Sequence, residues 1–451
     1  MSIEFERFIT AARAQRGGFF DASRPITAAR APGWVDLLGG VAAHAGALAL
    51  GWPLGASAFV ALQPDPAPAI VVQDEQGHDT SLPLTELIAA DGRPRAYGEA
   101  AQRLAPRDLL QRLVGAAWLA LLREEFAHLP GGARLLLRWR SGPGWPVSVV
   151  AAVAQALVSA FGVRLAPREL GLACQTALGR VVQPGSAIGA LGPLVSVCAH
   201  ADALLLLHPQ PAWMWGNLHL PTGTTIWALR VGDGPGSGAR ATSGAAEAIA
   251  YRIAAEAEEL DPGEANARWL GYLANIGSDR LARQLRDLLP ATVSGQAYLA
   301  RYGQPPGLKL DAGQHYPARA AAVLAVEEHL RARLAVALLR AAASKAQRDD
   351  DLALVGELMA LSHWAQRAAG HGDAHADQLV DRVYAAGMSQ GLYGARAPSA
   401  ESGATLVVLG RAEAEPALQA IAAGYAAEHG LPVAISGGSA AGCSPAGTRE
   451  L

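Results

Sequence analysis

The sequence predicts a mixed α/β protein that is large enough for two domains. Of its 451 residues, 51% are apolar and 17% are charged, which provides for a sizeable hydrophobic core and excludes a disordered or coiled-coil chain. Its 50 glycines and 28 prolines indicate many turns between short elements. Apolar patterns of both the strand and the helix period occur along the chain, as the mixed class requires.

The first half is predicted to open with strands and to continue with helices. Between Ile26 and Val72, glycines and prolines interrupt short apolar runs, which is typical of strands and turns. Arg134–Arg140 (RLLLRWR) predicts a strand that leads through a loop into a helix. Helical periodicity is found at 84–90, 106–127 and 147–161, and the apolar region 194–207 fits either a helix or a strand.

A stretch rich in proline, tryptophan and glycine at 208–223 (HPQPAWMWGNLHLPTG) is the predicted boundary between two domains, 1–220 and 221–451. A strand at 224–231 and a glycine-rich loop at 232–238 follow it. The remaining predictions are helices at 243–260, 276–288, 316–345, 350–368 and 412–429, and strands near 404–409 and 431–436.

Charge and cysteine content narrow the function. The net charge of −3 argues against nucleic-acid binding. The three cysteines, Cys174, Cys198 and Cys443, form no Cys-x-x-Cys pair, so neither a disulfide framework nor a structural zinc site is expected and a reducing cytoplasm fits.

The sequence shows neither a signal peptide nor a good membrane span. The first residues carry charges without an apolar core, which does not fit a signal peptide. Two long uncharged stretches, 45–62 and 145–163, are interrupted by glycine, proline or polar residues, so neither is expected to cross a membrane. We therefore expect a cytoplasmic protein without membrane contact.

The first segment with a recognisable motif is Arg30–Gly46, RAPGWVDLLGGVAAHAG. It resembles the opening motif of the GHMP kinases, in the galactokinase and arabinokinase branch. Glycine and apolar positions match, and so does Asp36. Trp34 stands where the family has an arginine on the substrate side, and Ala43 and His44 replace an Asp-Tyr pair that contacts the sugar. The resemblance makes Trp34, Asp36 and His44 candidate substrate-binding residues; the alternative is a retained turn that has lost its ligands.

The second segment is Arg138–Gly162, RWRSGPGWPVSVVAAVAQALVSAFG. A glycine loop that opens a helix offers backbone N–H groups and the positive end of the helix dipole to a phosphate. In the family this place holds a phosphate loop whose serines help to bind nucleotide and magnesium. Here those serines become Trp145, Pro146 and Val147, and Ser148 follows one position later. The nucleotide candidates are Gly142, Gly144 and Ser148, with Ser148 also the candidate magnesium ligand, although proline and tryptophan remove donors and add bulk.

The third segment, Val181–Pro211, is similar to an arabinokinase pattern that includes a catalytic aspartate. Aligned on Ser196 and Cys198, that aspartate falls at Gly192, so no catalytic residue is assigned. No carboxylate lies between Glu169 and Asp202. Loss of a catalytic base is worth roughly two to four decades in rate. Asp202 is expected at a cap or on the surface.

Leu392–Gly410, LYGARAPSAESGATLVVLG, resembles the third kinase motif and makes Ser402 and Gly403 nucleotide-binding candidates. The family's glycine triplet has become Ser399, Ala400 and Glu401, which removes conformational freedom and places a negative charge where a phosphate would lie. Near the end, Ser436–Gly442 resembles a terminal glycine-serine turn of the same family.

Three further features are expected to be structural. The glycine loop Val231–Gly238 is predicted to be a surface loop, and the stretch from His371 to Asp377 (HGDAHAD) to be the start of a helix and not a metal cluster. Three tryptophans, Trp145, Trp213 and Trp215, are predicted to be packing residues.

The resemblance runs from Arg30 to Gly442 and implies the two-domain GHMP kinase fold. Its N-terminal domain would be of the ribosomal S5 domain 2 type, its C-terminal domain would be ferredoxin-like, and its active site would lie between them. Two functional hypotheses stay open. The preferred one is a galactokinase-like pseudokinase that binds a sugar, a nucleotide or a partner protein. The alternative is an active ATP-dependent sugar 1-kinase with a rebuilt site, which would need ATP and Mg.

Overall fold

A computed structural model gives the architecture of residues 3–124, 127–184, 188–209, 212–232, 244–343 and 348–451, with the side chains of residues 56 and 57 left out. The helices are α1 Ile3–Ala14, α2 Tyr97–Leu104, α3 Leu109–Glu124, α4 Trp145–Ala160, α5 Pro167–Ala177, α6 Leu191–Cys198, α7 Ala245–Ala257, α8 Pro262–Trp269, α9 Ser278–Arg280, α10 Gly295–Tyr302, α11 Ala318–Ala342, α12 Arg348–Gln366, α13 Ala374–Ala386, α14 Glu415–His429 and α15 Cys443–Ala446. The strands are β1 Thr27–Leu38, β2 Ala49–Asp65, β3 Ala69–Gln73, β4 Asp79–Pro83, β5 Gly132–Trp139, β6 Ala203–His208, β7 Trp213–His219, β8 Thr224–Val231, β9 Val293–Ser294, β10 His315–Tyr316, β11 Leu392–Arg396, β12 Leu406–Arg411, β13 Val433–Ser436 and β14 Arg449–Glu450.

The chain divides into two compact units, each assembled from separated segments. The first unit contains Met1–Trp34, Pro53–Ala203 and Gly438–Leu451, and the second contains Val35–Trp52 and Leu204–Gly437. β1 and β2 therefore each contribute residues to both units. The predicted domain division at residue 220 concerns the two domains of the family and stays a prediction.

In the first unit, a mixed sheet is covered by helices. The strand order is β14-β1-β2-β5-β3-β4, with β3 and β5 parallel and the β2–β5 and β3–β4 pairs antiparallel. α1 packs on the sheet through Phe5 and Phe8, whose rings lie 5.7 and 5.6 Å from that of Phe59. α4 is apolar on almost every face because α3, α5 and α6 surround it.

The second unit combines an antiparallel sheet with a helical layer. The sheet has the order β11-β12-β8-β13, and its core contains Trp227, Leu229, Leu406 and Val408. The first residues of β2 pair with β6, and β7 in turn pairs with β6. α11 and α12 pack against each other, and α12 packs on β11.

Most predicted elements are present with shifted ends. The strand expected at 134–140 is β5, the helix expected at 147–161 is α4, and the region 194–207 contains both a helix, α6, and a strand, β6. The predicted boundary stretch 208–223 instead contains the strand β7. The loop predicted at Val231–Gly238 lies mostly in residues 233–243, outside the described residues.

No helix within the described residues combines the length and apolar character that crossing a membrane requires. The three cysteines are free and buried in the first unit, and burial raises the pKa of Cys174 and of Cys198 to about 12. They are therefore protonated and unreactive near neutral pH.

Candidate functional site

The indole of Trp34 fills the space beside two glycines of the first unit. Its side chain, at the end of that unit's part of β1, is only 1% exposed. A Cβ atom added at Gly192 would lie 2.3 Å from Cε2 of Trp34, and one added at Gly144 would lie 2.4 Å from its Cδ1. These distances leave no room for any side chain at either glycine while the ring stays in place. The two positions that the sequence comparison predicts to have lost an arginine and a catalytic aspartate, Trp34 and Gly192, are therefore packed against each other.

The glycine loop before α4 leads into the N-terminus of a helix but offers few backbone donors to an anion. Gly144, the N-cap of α4, has φ 71° and makes no side-chain cap. Trp145 N–H donates to the Gly142 carbonyl at 3.2 Å, and Pro146 has no N–H, so the first two helical positions offer no backbone donor to an anion. The Trp145 ring stacks on that of Trp139, with centroids 6.0 Å apart. This contact agrees with the packing role that the sequence predicts for Trp145.

Ser148 does not present its hydroxyl to a ligand. The residue is 2% exposed, and its Oγ donates to the Trp145 carbonyl at 2.9 Å within the first turn of α4. A magnesium ligand needs an exposed oxygen with a free lone pair directed at the ion. This geometry gives no support to the prediction that Ser148 binds magnesium.

The third motif keeps its scaffold in the first unit. Ser196 Oγ donates to the Pro32 carbonyl at 2.8 Å, which ties α6 to the strand that carries the first motif. All residues of α6 are buried, and none carries a carboxyl group or a basic side chain. Asp202 is exposed, with φ 57°, and its backbone N–H donates to Ser439 Oγ at 2.8 Å. It lies on the surface, as the sequence predicts.

In the second unit, Asp36 is fully enclosed by the protein. Its Oδ2 accepts from Arg396 at 2.8 Å, and its Oδ1 accepts from the backbone N–H and the hydroxyl of Ser399, both at 2.7 Å. Asp36 and Arg396 are each 0% exposed. A Cβ atom added at Gly40 would lie 2.2 Å from Asp36 Oδ2, so only glycine fits there. Asp36 therefore holds the first and third motifs together, and this arrangement does not present its carboxylate to a substrate.

His44 forms an ion pair that the sequence did not predict. Its Nε2 lies 2.6 Å from Glu401 Oε1, with side-chain exposures of 23% for His44 and 18% for Glu401. Burial lowers the pKa of His44, but the hydrogen bond and charge of Glu401 and the charge of Glu247 outweigh burial, so the pKa is raised above 6.5. The sequence comparison predicts that Glu401 places a negative charge facing any bound phosphate. Instead it pairs with His44, so two departures from the family pattern compensate each other.

Glu247, near the start of α7, also acts on this pair. Its Oε2 is buried and has no hydrogen-bond partner within the described part of the chain, and burial raises its pKa. Two carboxyl groups, those of Glu401 and Glu247, thus raise the pKa of one imidazole. Such a cluster can accept hydrogen bonds from hydroxyl groups, and it can hold a proton near neutral pH.

Ser402 and Gly403, the nucleotide candidates of the third motif, lie in a tight turn. Ser402 is 0% exposed and its Oγ donates to the Ser399 carbonyl at 2.8 Å. Gly403 ends the short helical segment Ala400–Ser402 with φ 70°. The turn thus satisfies its own hydroxyl, and Gly403 keeps the left-handed conformation that glycine permits.

Two further groups support this region and were missed by sequence reasoning. Glu328 of α11 is 0% exposed and accepts from the backbone N–H of Gly39 at 2.9 Å and from Ser362 at 2.7 Å. His363 of α12 accepts from the Ala397 N–H at 3.3 Å. Glu328 and His363 lie in ordinary helical stretches, and no sequence spacing links residue 39 to residue 328. The only available signal was the polarity of Glu328 among the apolar positions of α11.

The stretch HGDAHAD begins a helix, as the sequence predicts. Asp373 caps α13 and accepts from the backbone N–H groups of His375 and Ala376, each at 3.0 Å. No three His, Cys, Asp or Glu side chains among the described residues are arranged to hold a metal ion.

Comparison with known proteins identifies the class of fold. The chain superimposes on Lactococcus lactis galactokinase, solved in complex with galactose, with a TM-score of 0.69 and 14% identity over 98% of this chain and 100% of that one. It also superimposes on Methanococcus jannaschii mevalonate kinase, with a TM-score of 0.55 and 11% identity over 92% of this chain and 99% of that one. The mixed α/β fold is that of the two-domain GHMP kinases.

At the level of sequence, the chain is 27% identical to L-arabinokinase of Arabidopsis thaliana over 88% of its own length. It spans 44% of the length of that relative. No family model matches the chain. Sequence and fold together confirm the resemblance to the GHMP kinase superfamily, in its galactokinase and arabinokinase branch.

Proposed function

We propose that the protein is a galactokinase-like pseudokinase, which binds a sugar but transfers phosphate poorly or not at all. The observation that carries the proposal is the packing of Trp34 against Gly192 and Gly144, where a Cβ atom would lie 2.3 and 2.4 Å from the ring. A carboxylate at position 192 and an arginine at position 34 would each need the volume that the indole fills. Lost general-base catalysis alone costs about 10²- to 10⁴-fold in rate.

The residues present do not fit ATP and magnesium as the family's motif does. Pro146 has no N–H, Trp145 fills a loop position, and the Ser148 hydroxyl is bonded to a backbone carbonyl 2.9 Å away. Phosphoryl transfer depends on donors and metal ions that neutralise charge on the transferred group. Residues 145–147 supply no hydroxyl group and position 146 supplies no N–H, so this loop does not fit a nucleotide phosphate as the family's motif does.

A sugar is the ligand that the second unit favours. His44 stands at a family position that contacts sugar. With Glu401 and Glu247 it offers hydrogen-bond acceptors and, because the pKa of His44 is raised, a charged donor. Hydroxyl groups of a sugar complement such a mixed set. A sensor, or a non-catalytic partner of an active enzyme, would use binding of this kind. The free cysteines fit a cytoplasmic location.

Activity is tested on the intact chain with ATP, magnesium and a panel of aldoses that includes galactose and arabinose. We expect turnover at least about 100-fold below the usual enzyme range of about 1–10³ s⁻¹. Thermal shift should detect a sugar but no Mg-ATP, and His44→Gln should weaken the sugar shift. Turnover in the ordinary range would reject the pseudokinase.

The alternative, an ATP-dependent sugar 1-kinase with a rebuilt site, is favoured by the 27% identity to L-arabinokinase. ATP and Mg would then be required. A triple variant separates the two, because Trp34→Arg, Gly192→Asp and Val147→Ser together reinstate the family's groups. A pseudokinase gains activity from the triple variant or stays inactive, whereas a rebuilt kinase loses activity, since its own residues are disrupted.

A further inference from the structure

The second unit exposes two tryptophans side by side on a strand. Trp213 is 66% exposed and Trp215 is 47% exposed, both on β7. Side chains two residues apart on a strand project from the same side and are separated by about 6.6 Å along it. The sequence predicted packing roles for both residues, and for these two that prediction was wrong. Large exposed apolar side chains that lie together usually mark a binding surface.

Trp215 is backed by a stack of rings that reaches into the unit. Its ring is nearly parallel to that of His208, at an interplanar angle of 14° with centroids 6.1 Å apart. The ring of His208 meets the ring of His329 edge-on, with ring centroids 5.8 Å apart. The Nδ1 atom of His329 accepts a hydrogen bond from the Leu48 N–H at 3.0 Å. One face of the indole is therefore supported while the residue remains exposed. The tryptophan is held in place before any ligand arrives, which reduces the ordering cost of binding.

We propose that Trp213 and Trp215, backed by His208, form a platform that binds the pyranose rings of a linear oligosaccharide. An indole face carries partial negative charge, and the C–H groups on one face of a pyranose carry partial positive charge, so the two stack. Two such faces spaced along a strand suit successive rings of one sugar chain.

The side-chain composition favours a sugar over a protein partner. The exposed positions of β7 are Trp213, Trp215 and His219, with no large aliphatic side chain among them. Protein interfaces usually surround a tryptophan anchor with apolar contacts that exclude water. A nucleic acid would also stack on indoles, but the net charge of −3 opposes its phosphates. This platform shares no residue with the proposed sugar site of His44, Glu401 and Glu247 and does not depend on that proposal.

The test uses the intact protein and soluble hexasaccharides of glucose, xylose and galactose in α and β linkage. We expect at least one to bind by calorimetry, and its ring protons to receive saturation transfer from the protein. Replacing both tryptophans (Trp213→Ala, Trp215→Ala) should weaken binding at least about tenfold. The control variant is Trp364→Ala, because Trp364 is 44% exposed on α12, where His363 and Arg367 contact its ring. It should leave binding unchanged.

Since both residues are exposed, the double variant should fold, and circular dichroism checks this. The milder Trp215→Phe keeps an aromatic ring over His208 and should bind with intermediate strength. Absence of binding by every hexasaccharide overturns the proposal, as does equal binding by the double variant. Sedimentation of the parent and the double variant reveals the competing occupant: self-association that disappears with the tryptophans, without sugar binding, would assign β7 to a second copy of this chain.

Discussion

At the scale of single residues, Trp34 and Gly192 act as one packed unit. Changing Gly192 to alanine places a methyl group 2.3 Å from a buried ring, and we expect a loss of about 1–3 kcal/mol in unfolding free energy from overpacking. Adding Trp34→Phe to Gly192→Ala should recover part of that loss, because the smaller ring leaves room for the methyl group. Denaturant unfolding of the two single variants and the double variant measures the coupling.

The control for this substitution is Gly98 in α2, where an added Cβ atom meets nothing within 4 Å. Gly98→Ala should be neutral or stabilising by up to about 1 kcal/mol, since alanine has fewer unfolded conformations than glycine. Equal changes in unfolding free energy for Gly192→Ala and Gly98→Ala would show that the indole of Trp34 does not exclude a side chain at position 192.

Asp36 gives a second prediction about a buried charge. Changing it to asparagine leaves the guanidinium of Arg396, which is 0% exposed, without its partner charge. We expect a loss of about 3–5 kcal/mol in unfolding free energy. The matched control is Asp349→Asn, which breaks the exposed pair with Arg411 (exposures 44% and 38%) and should cost less than about 1 kcal/mol. A loss at Asp36 as small as at Asp349 would contradict a structural role for the pair.

At the scale of elements, the pair His44–Glu401 links the short helical segments Val41–Ala45 and Ala400–Ser402 in a pH-dependent way. Because the pKa of His44 is raised above 6.5 in the folded protein, the protonated imidazole stabilises the fold fully below that value. This contribution is lost as pH rises through the raised pKa. Urea unfolding from pH 6 upward should therefore show falling stability, and His44→Gln should make that slope shallower.

His329 serves as the opposite control. Burial, followed by the charges of His208 and Arg333, lowers its pKa to about 4, so its contribution to stability is lost as pH falls from 6.5 towards 4. His329→Asn keeps an acceptor near the position of Nδ1 for the Leu48 N–H and should flatten only the acid side of the profile. If His44→Gln changed the stability only at acid pH, that result would contradict a raised pKa for His44.

Helices and strands could be predicted from the sequence where the local residue pattern determines them. Contacts between residues that are far apart in the sequence could not. The apolar run of α4 and the strand β5 follow from periodicity and flanking glycines. β7 was missed because Pro209, Pro211 and Gly216 suggested a crossing, whereas pairing with β6 makes the segment a strand. The candidate residues Trp34, Asp36 and His44 could be found by motif. Their partners Gly192, Arg396 and Glu401 could not be paired with them, because they lie more than a hundred residues away and only tertiary folding brings them together.

At the scale of the whole molecule, the interleaved segments of the two compact units predict how fragments behave. A fragment of residues 1–220 lacks Gly438–Leu451, which supplies β14 beside β1 and the buried Cys443 of the first unit. It also carries Val35–Trp52 without most of the second unit. We expect this fragment and its complement, 221–451, to lack cooperative thermal unfolding when expressed alone, while the intact chain unfolds cooperatively. A sharp transition in the isolated 1–220 fragment would contradict this.

The contact between Trp34 and Gly192 also constrains the order in which the sequence can change. An acidic residue can enter position 192 only after the ring at position 34 has become smaller, and a smaller ring alone leaves a void in a well-packed interior. Each single-step route to an acidic residue at position 192 therefore passes through a less stable intermediate. The present pair is a local optimum that single substitutions do not easily leave.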